Sequence, residues 1–168
     1  MRALKAQILE FDRRIIAWHR SSVTSKRLDA IPGVGPALAT ALVASIADPK
    51  AFRSGRDFSA WVGLVPKQNS SGGKDKLGNI SKQGDRYLRS LFTAGALAVI
   101  RYAKIHGTGH RPWLTALLAR RPTKVAAIAL ANKLARMAWA MMARRRMLQG
   151  TGRAHGVNEI APDIPGVT

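Results

Sequence analysis

Apolar residues recur near the start of the chain at Leu4, Ile8, Phe11, Ile15 and Trp18, alternating spacings of four and three. That rhythm predicts a helix over residues 2–20 with the a/d seam of a coiled coil. Such a seam packs either on its own domain or on a partner helix, and pairing with a second copy is the preferred reading. A second apolar stretch, residues 28–47, runs Leu28, Ile31, a Gly33-Val34-Gly35 turn, then Ala39, Leu42 and Val43. It predicts a helix-hairpin-helix, with Pro36 in the first turn of the second helix. Asp48-Pro49 ends that helix, and a short helix is expected over residues 57–62, with Phe52, Phe58 and Trp61 in the core. Periodicity leaves a small β-hairpin within residues 62–81 open.

A long helix is expected from about residue 85 to residue 104, burying Leu88, Leu91, Phe92, Ala96 and Val99. Pro112 opens a short helix and Arg120-Arg121-Pro122 breaks it. Thr123 is read as the cap of a last helix reaching about residue 147, with Leu130, Leu134, Met137 and Met141 inward. Beyond Gly150 the rhythm is lost. The pattern is that of an all-α, mainly helical chain. It divides into a helical segment, residues 1–22, a helix-hairpin-helix domain, residues 23–149, and a loose tail, residues 150–168. The expected core includes Leu28, Ile31, Leu42, Leu64, Leu91 and Leu134.

Charge changes this picture most. The 28 Lys and Arg against 9 Asp and Glu leave a net charge of +19, which implies a polyanionic partner, DNA or RNA before a membrane surface. Between Arg86 and Asn158 there is no acidic residue. The longest uncharged run, residues 30–47, is interrupted by Pro32, Gly33, Gly35 and Pro36 and is not read as a membrane span. The absence of cysteine excludes disulfides and thiolate metal sites and fits a reducing cytoplasm. His106 and His110, with no carboxylate nearby in sequence, make a poor metal site, and no metal ligand is assigned.

Candidate chemistry lies in residues 66–89, PKQNSSGGKDKLGNISKQGDRYLR. Two adjacent hydroxyls, Ser70 and Ser71, sit among Lys67, Lys74, Lys76 and Lys82, followed by Arg86 and Arg89 at the start of a helix. This is also the composition of any exposed loop. Its cations suit a phosphodiester, with Lys74, Lys82, Arg86 and Arg89 as phosphate clamps for a serine nucleophile. Gly33 and Gly35 form a second candidate phosphate site. There the glycines allow close approach, and the helix start offers N–H groups to the DNA backbone.

Taken together, AIPGVGPALATALVASI, then FSAWVGLVPKQNSSGGKDKLGNISKQGDRYLRSL, then a long basic helical segment resemble the C-terminal domain of the IS-one-ten family of insertion-sequence transposases. The resemblance covers most of residues 28–148. It implies DNA cutting and rejoining guided by a bridge RNA. It also implies a composite site: an N-terminal RuvC-like domain with four acidic residues that bind magnesium, and a serine nucleophile preceding a glycine. Here that serine is Ser71, with Ser70 as the alternative. No acidic quartet can be built from this chain, so the resemblance casts it as a fragment lacking the acidic domain, without a cofactor of its own and inactive alone. The competing expectation is a non-enzymatic helix-hairpin-helix module that only binds nucleic acid.

Overall fold

The computed structural model describes residues 2–69, 77–107 and 112–143. Its helices are α1 (Arg2–Ser21), α2 (Val23–Asp29), α3 (Pro36–Ser45), α4 (Gly55–Trp61), α5 (Arg86–His106), α6 (Pro112–Arg120) and α7 (Thr123–Ala143). A 3-10 turn at Pro49–Ala51 lies between α3 and α4. Two short antiparallel strands, β1 (Pro66–Gln68) and β2 (Leu77–Ile80), form a hairpin, with Pro66 opposite Ile80 and Gln68 opposite Leu77. The chain is mainly helical, as its periodicity predicts, and the hairpin left open by the sequence is present.

Helix α7 is the hub. It packs on α5 and α4 most extensively, and also on α2, α6 and the 3-10 turn. Its inward face carries Ala126, Ala127, Ala131, Ala135 and Ala138 beside Leu130, Leu134 and Met142. Small side chains let several helices approach one helix at once, because interaxial distance is set by the side chains at the contact. By length and composition α7 could cross a membrane, but here its alanine stripe is core.

Leu28, Ile31, Leu42, Leu64 and Leu134 are buried as expected, whereas Leu91 is only partly buried against the core. Met137 is 42% exposed rather than inward, because it falls off the packed face that Ala131, Leu134, Ala135 and Ala138 define, while Met141 is partly buried against the core. Thr123 is the first residue of α7 rather than its cap, and the Pro122 carbonyl accepts from Ala126 N–H. Helix α4 begins two residues earlier than expected, because Ser54 accepts a hydrogen bond from the Asp57 N–H and caps it. Phe58 is fully buried, with Phe52 set edge-on and Trp61 stacked against it, but Trp61 keeps 40% of its surface exposed.

Candidate nucleic-acid interface

The hairpin is held at its root by two glycine-bearing turns. Gly63 and Gly84 both have positive φ, +82° and +91°. A Cβ on Gly84 would overlap the Trp61 carbonyl oxygen, and one on Gly63 would overlap the Gln83 carbonyl oxygen. The turn after α4 and the turn before α5 therefore interlock backbone to backbone. Lys82 N–H donates to the Gly63 carbonyl at 3.2 Å and Ser81 N–H to the Val65 carbonyl at 2.9 Å. Lys82 itself has φ +56°, alone in that region among the described non-glycine residues, and its side chain is exposed.

Arg89 completes the clasp. Its Nη1 donates to the Val62 carbonyl at 3.0 Å and to the Gln83 carbonyl at 3.4 Å. The guanidinium thus joins the end of α4 to the turn before α5, a structural task that sequence reasoning missed. Arg86, one turn away, is exposed. Asp85 caps α5 by accepting from Leu88 N–H at 2.9 Å. Ser70, Ser71 and Lys74 fall in the stretch between the two strands and lie outside the described residues, as do His110 and Arg144 to Arg146.

The turn between α2 and α3 gives its two glycines different surroundings. Gly33 has φ +97°, and a Cβ there would meet Val99 Cγ2 at 2.8 Å and the Gly95 carbonyl oxygen at 3.0 Å. A Cβ on Gly95 would in turn overlap the Gly33 carbonyl. Close approach of α5 thus accounts for glycine at 33. Gly35 has open space around it and stands as the exposed N-cap of α3, with no side chain capping the first turn. Of the pair, Gly35 alone leaves the first turn of α3 open to solvent, where a helix start presents N–H groups.

Cations also line the outer side of α7. Lys124, Lys133 and Arg136 are exposed, and Lys133 Nζ lies 4.6 Å from the centroid of the Trp113 ring. One arrangement invites a false reading. His19 Nδ1 is 2.7 Å from Ser25 Oγ, and His19 Nε2 is 3.8 Å from Asp29 Oδ2. Ser25 is completely buried, so no substrate reaches it, and the trio ties α1 to α2. Among the described residues no group of three or more His, Asp or Glu could hold a metal ion.

An interlocked hairpin, an uncapped helix start and exposed cations define a class: a mainly helical domain with a glycine-rooted hairpin and a basic surface. Within it, the chain belongs to the Transposase IS116/IS110/IS902 family, whose sequence profile matches residues 25–111. It is 48% identical over 144 residues to a probable family 20 transposase of Pseudomonas aeruginosa, covering 86% of this chain and 43% of that protein. It is 46% identical to a putative transposase of Sinorhizobium fredii, covering 84% and 37% of the two chains. It is 39% identical to the transposase for insertion sequence element IS1111A of Coxiella burnetii, covering 81% and 37%. The chain thus spans about two fifths of the length of these relatives.

Proposed function

We propose that this chain is the DNA-gripping and serine-bearing part of a transposase, acting with an acidic RuvC-like domain and a bridge RNA. The observation that carries the proposal is the clasp of Gly63, Gly84 and Arg89. It anchors both ends of the hairpin between exposed Lys82 and Arg86, at the start of α5. A root held this firmly fixes the two strands beside Lys82 and Arg86, and an oriented nucleophile requires a fixed support.

In the proposed step, Ser71 Oγ attacks the phosphorus. The P–O bond to the 3′ oxygen breaks, and that oxygen leaves as a 3′ hydroxyl after taking a proton. The serine proton passes to a base outside the described residues. The DNA 5′ phosphate is left on serine, and the reverse attack by a 3′ hydroxyl rejoins the strand without nucleotide hydrolysis. Lys82, Arg86 and Lys74 supply positive charge to the phosphate. Arg89 serves by holding the hairpin root, with any phosphate contact secondary. Magnesium belongs with the acidic domain, and no step here runs through it. Gly35 and the start of α3 grip duplex backbone without reading bases. The expected site of action is the bacterial cytoplasm.

The test is a denaturing gel of labelled DNA with the chain, its acidic domain and its guide RNA. A covalent adduct is expected that Ser71→Ala abolishes while DNA binding stays nearly intact, because one hydroxyl contributes little to affinity. Ser70→Ala should do much less. An adduct that persists in Ser71→Ala, or maps to Ser70, would show that the wrong serine was chosen. No adduct under any condition would leave a non-enzymatic binding module.

A further inference from the structure

Two depressions run into one another along the outer face of α7. The first, about 740 Å³, has Lys124, Val125, Ile128, Ala129 and Asn132 as its floor and the hairpin residues Pro66, Asn79, Ile80 and Lys82 as its wall. The second, about 560 Å³, shares Ala129 and Asn132 and continues over Lys133 and Arg136 between walls formed by Gly55 and Trp113. Neither is lined by an acidic residue. Lys124 and Arg136 are twelve positions apart, so the groove is about 18 Å long at ~1.5 Å per residue.

We infer that this groove binds unpaired DNA, laying bases along α7 and leading the strand to the hairpin. The inference rests on the reading of the chain as a DNA-handling segment and names the form of DNA this face takes. Three features favour it. The floor is aliphatic between cationic edges. A duplex turns its phosphates outward and hides its bases, so it would leave Val125 and Ile128 uncovered. A single strand can place bases on carbon and phosphates on Lys82, Lys124, Lys133 and Arg136. Trp113 stands at the far end with 40% of its surface exposed even though Lys133 lies over its ring, which suits base stacking. Apart from the cations and the indole N–H groups of Trp113 and Trp139, the polar side chains of the lining are Asn79 and Asn132; Asn132 already donates through Nδ2 to the Leu64 carbonyl at 3.2 Å, and Trp139 through Nε1 to the Pro49 carbonyl at 2.9 Å. A ribose 2′ hydroxyl on this floor would find few partners, whereas a thymine methyl would pack on Val125 and Ile128. DNA, and thymine-containing DNA in particular, is therefore the committed ligand.

The experiment measures fluorescence anisotropy of the full chain with oligo(dT), with oligo(U) and with a duplex, all of one length. A second arm uses photo-crosslinking of a 5-iododeoxyuridine tract, with the modified peptides mapped. Oligo(dT) should bind more tightly than oligo(U). Trp113→Ala and Val125→Asp, both at solvent-exposed positions, should each weaken oligo(dT) about five-fold or more while leaving duplex affinity within about two-fold. Crosslinks should fall within residues 112–140 or on the hairpin wall at Pro66, Asn79, Ile80 and Lys82. Tighter binding of oligo(U) would assign the groove to RNA and overturn the inference. So would duplex binding without oligo(dT) binding, or crosslinks elsewhere on the chain, and the crosslink map holds even if a variant fails to fold. If no nucleic acid binds, the DNA-handling reading itself falls, an outcome distinct from the others.

Discussion

Gly95 sits within α5, where helix propensity alone favours alanine by about 1 kcal/mol. Packing reverses that preference. An alanine Cβ would overlap the Gly33 carbonyl, a backbone atom that can move only if the turn between α2 and α3 moves with it. Gly95→Ala should therefore destabilise the fold by about 1–3 kcal/mol, the ordinary cost of overpacking, read as a lower urea midpoint. Gly35→Ala is the matched control. Its φ of −82° suits alanine and nothing lies within 4 Å, so the loss should stay below that of Gly95→Ala. Equal midpoints for the two would mean that α5 and the turn do not touch as described. The same contrast limits what binding experiments can use, since replacing Gly33 disturbs the core and only Gly35 tests backbone gripping cleanly. Sequence alone marked Gly33 and Gly35 as special but not that they differ, because the partner that separates them, Gly95, is remote in the chain. Arg89 was hidden for a similar reason. Its acceptors are main-chain carbonyls of Val62 and Gln83, which leave no trace in residue identity.

At the scale of elements, legibility followed side-chain size. The large apolar residues that repeat at helical spacing on α3 and α5, Leu38 and Leu42, then Leu88, Phe92, Val99 and Ile100, lie inward, while Tyr87, Leu97, Tyr102 and Ile105 off that stripe are exposed. On α7 Leu130 and Leu134 lie inward and Met141 partly so, as their spacing predicts, whereas Met137 is exposed because alanine, neutral in a hydropathy pattern, fills most of the packed face. Helix α1 was legible in rhythm and remains open in consequence. Leu4, Ile8 and Phe11 are 63%, 53% and 61% exposed, although α1 packs on α2 and α3 toward its C-terminal end through buried His19. An apolar row left in water at a/d spacing suits a second helix of the same kind. We propose pairing of two copies through this row. Ile8→Asp combined with Phe11→Asp should shift sedimentation from dimer to monomer with an unchanged circular dichroism spectrum, since neither side chain contributes to the core. A wild-type chain that sediments as a monomer at every concentration would sink the proposal.

Over the whole molecule, most of the acidic residues among the described ones are occupied locally. Asp48 and Asp85 cap the 3-10 turn and α5, Glu10 pairs with Arg14, and Asp29 lies beside His19. Among the described residues the ion pair between permanently charged side chains is Glu10–Arg14, so exposed Arg86, Lys124, Lys133 and Arg136 have no carboxylate partner there. A surface with so little internal neutralisation should bind nucleic acid chiefly by releasing counterions, and that makes a quantitative prediction. On duplex DNA each phosphate contact adds roughly 0.9 to the slope of log K against log salt, and on a single strand roughly 0.7. Binding should therefore fall steeply with salt. Replacing Lys124 and Lys133 by glutamine should lower the oligo(dT) slope by about 1.4, two contacts at the single-strand value. Replacing Arg86, which is exposed and does not line the groove, should act on duplex binding instead, lowering that slope by about 0.9. The measurement is a salt titration of each complex with each variant. A nearly flat wild-type slope would remove the basic surface as the contact. Identical losses on both ligands for both sets of variants would show one shared track rather than a groove for the single strand and a separate grip on the duplex.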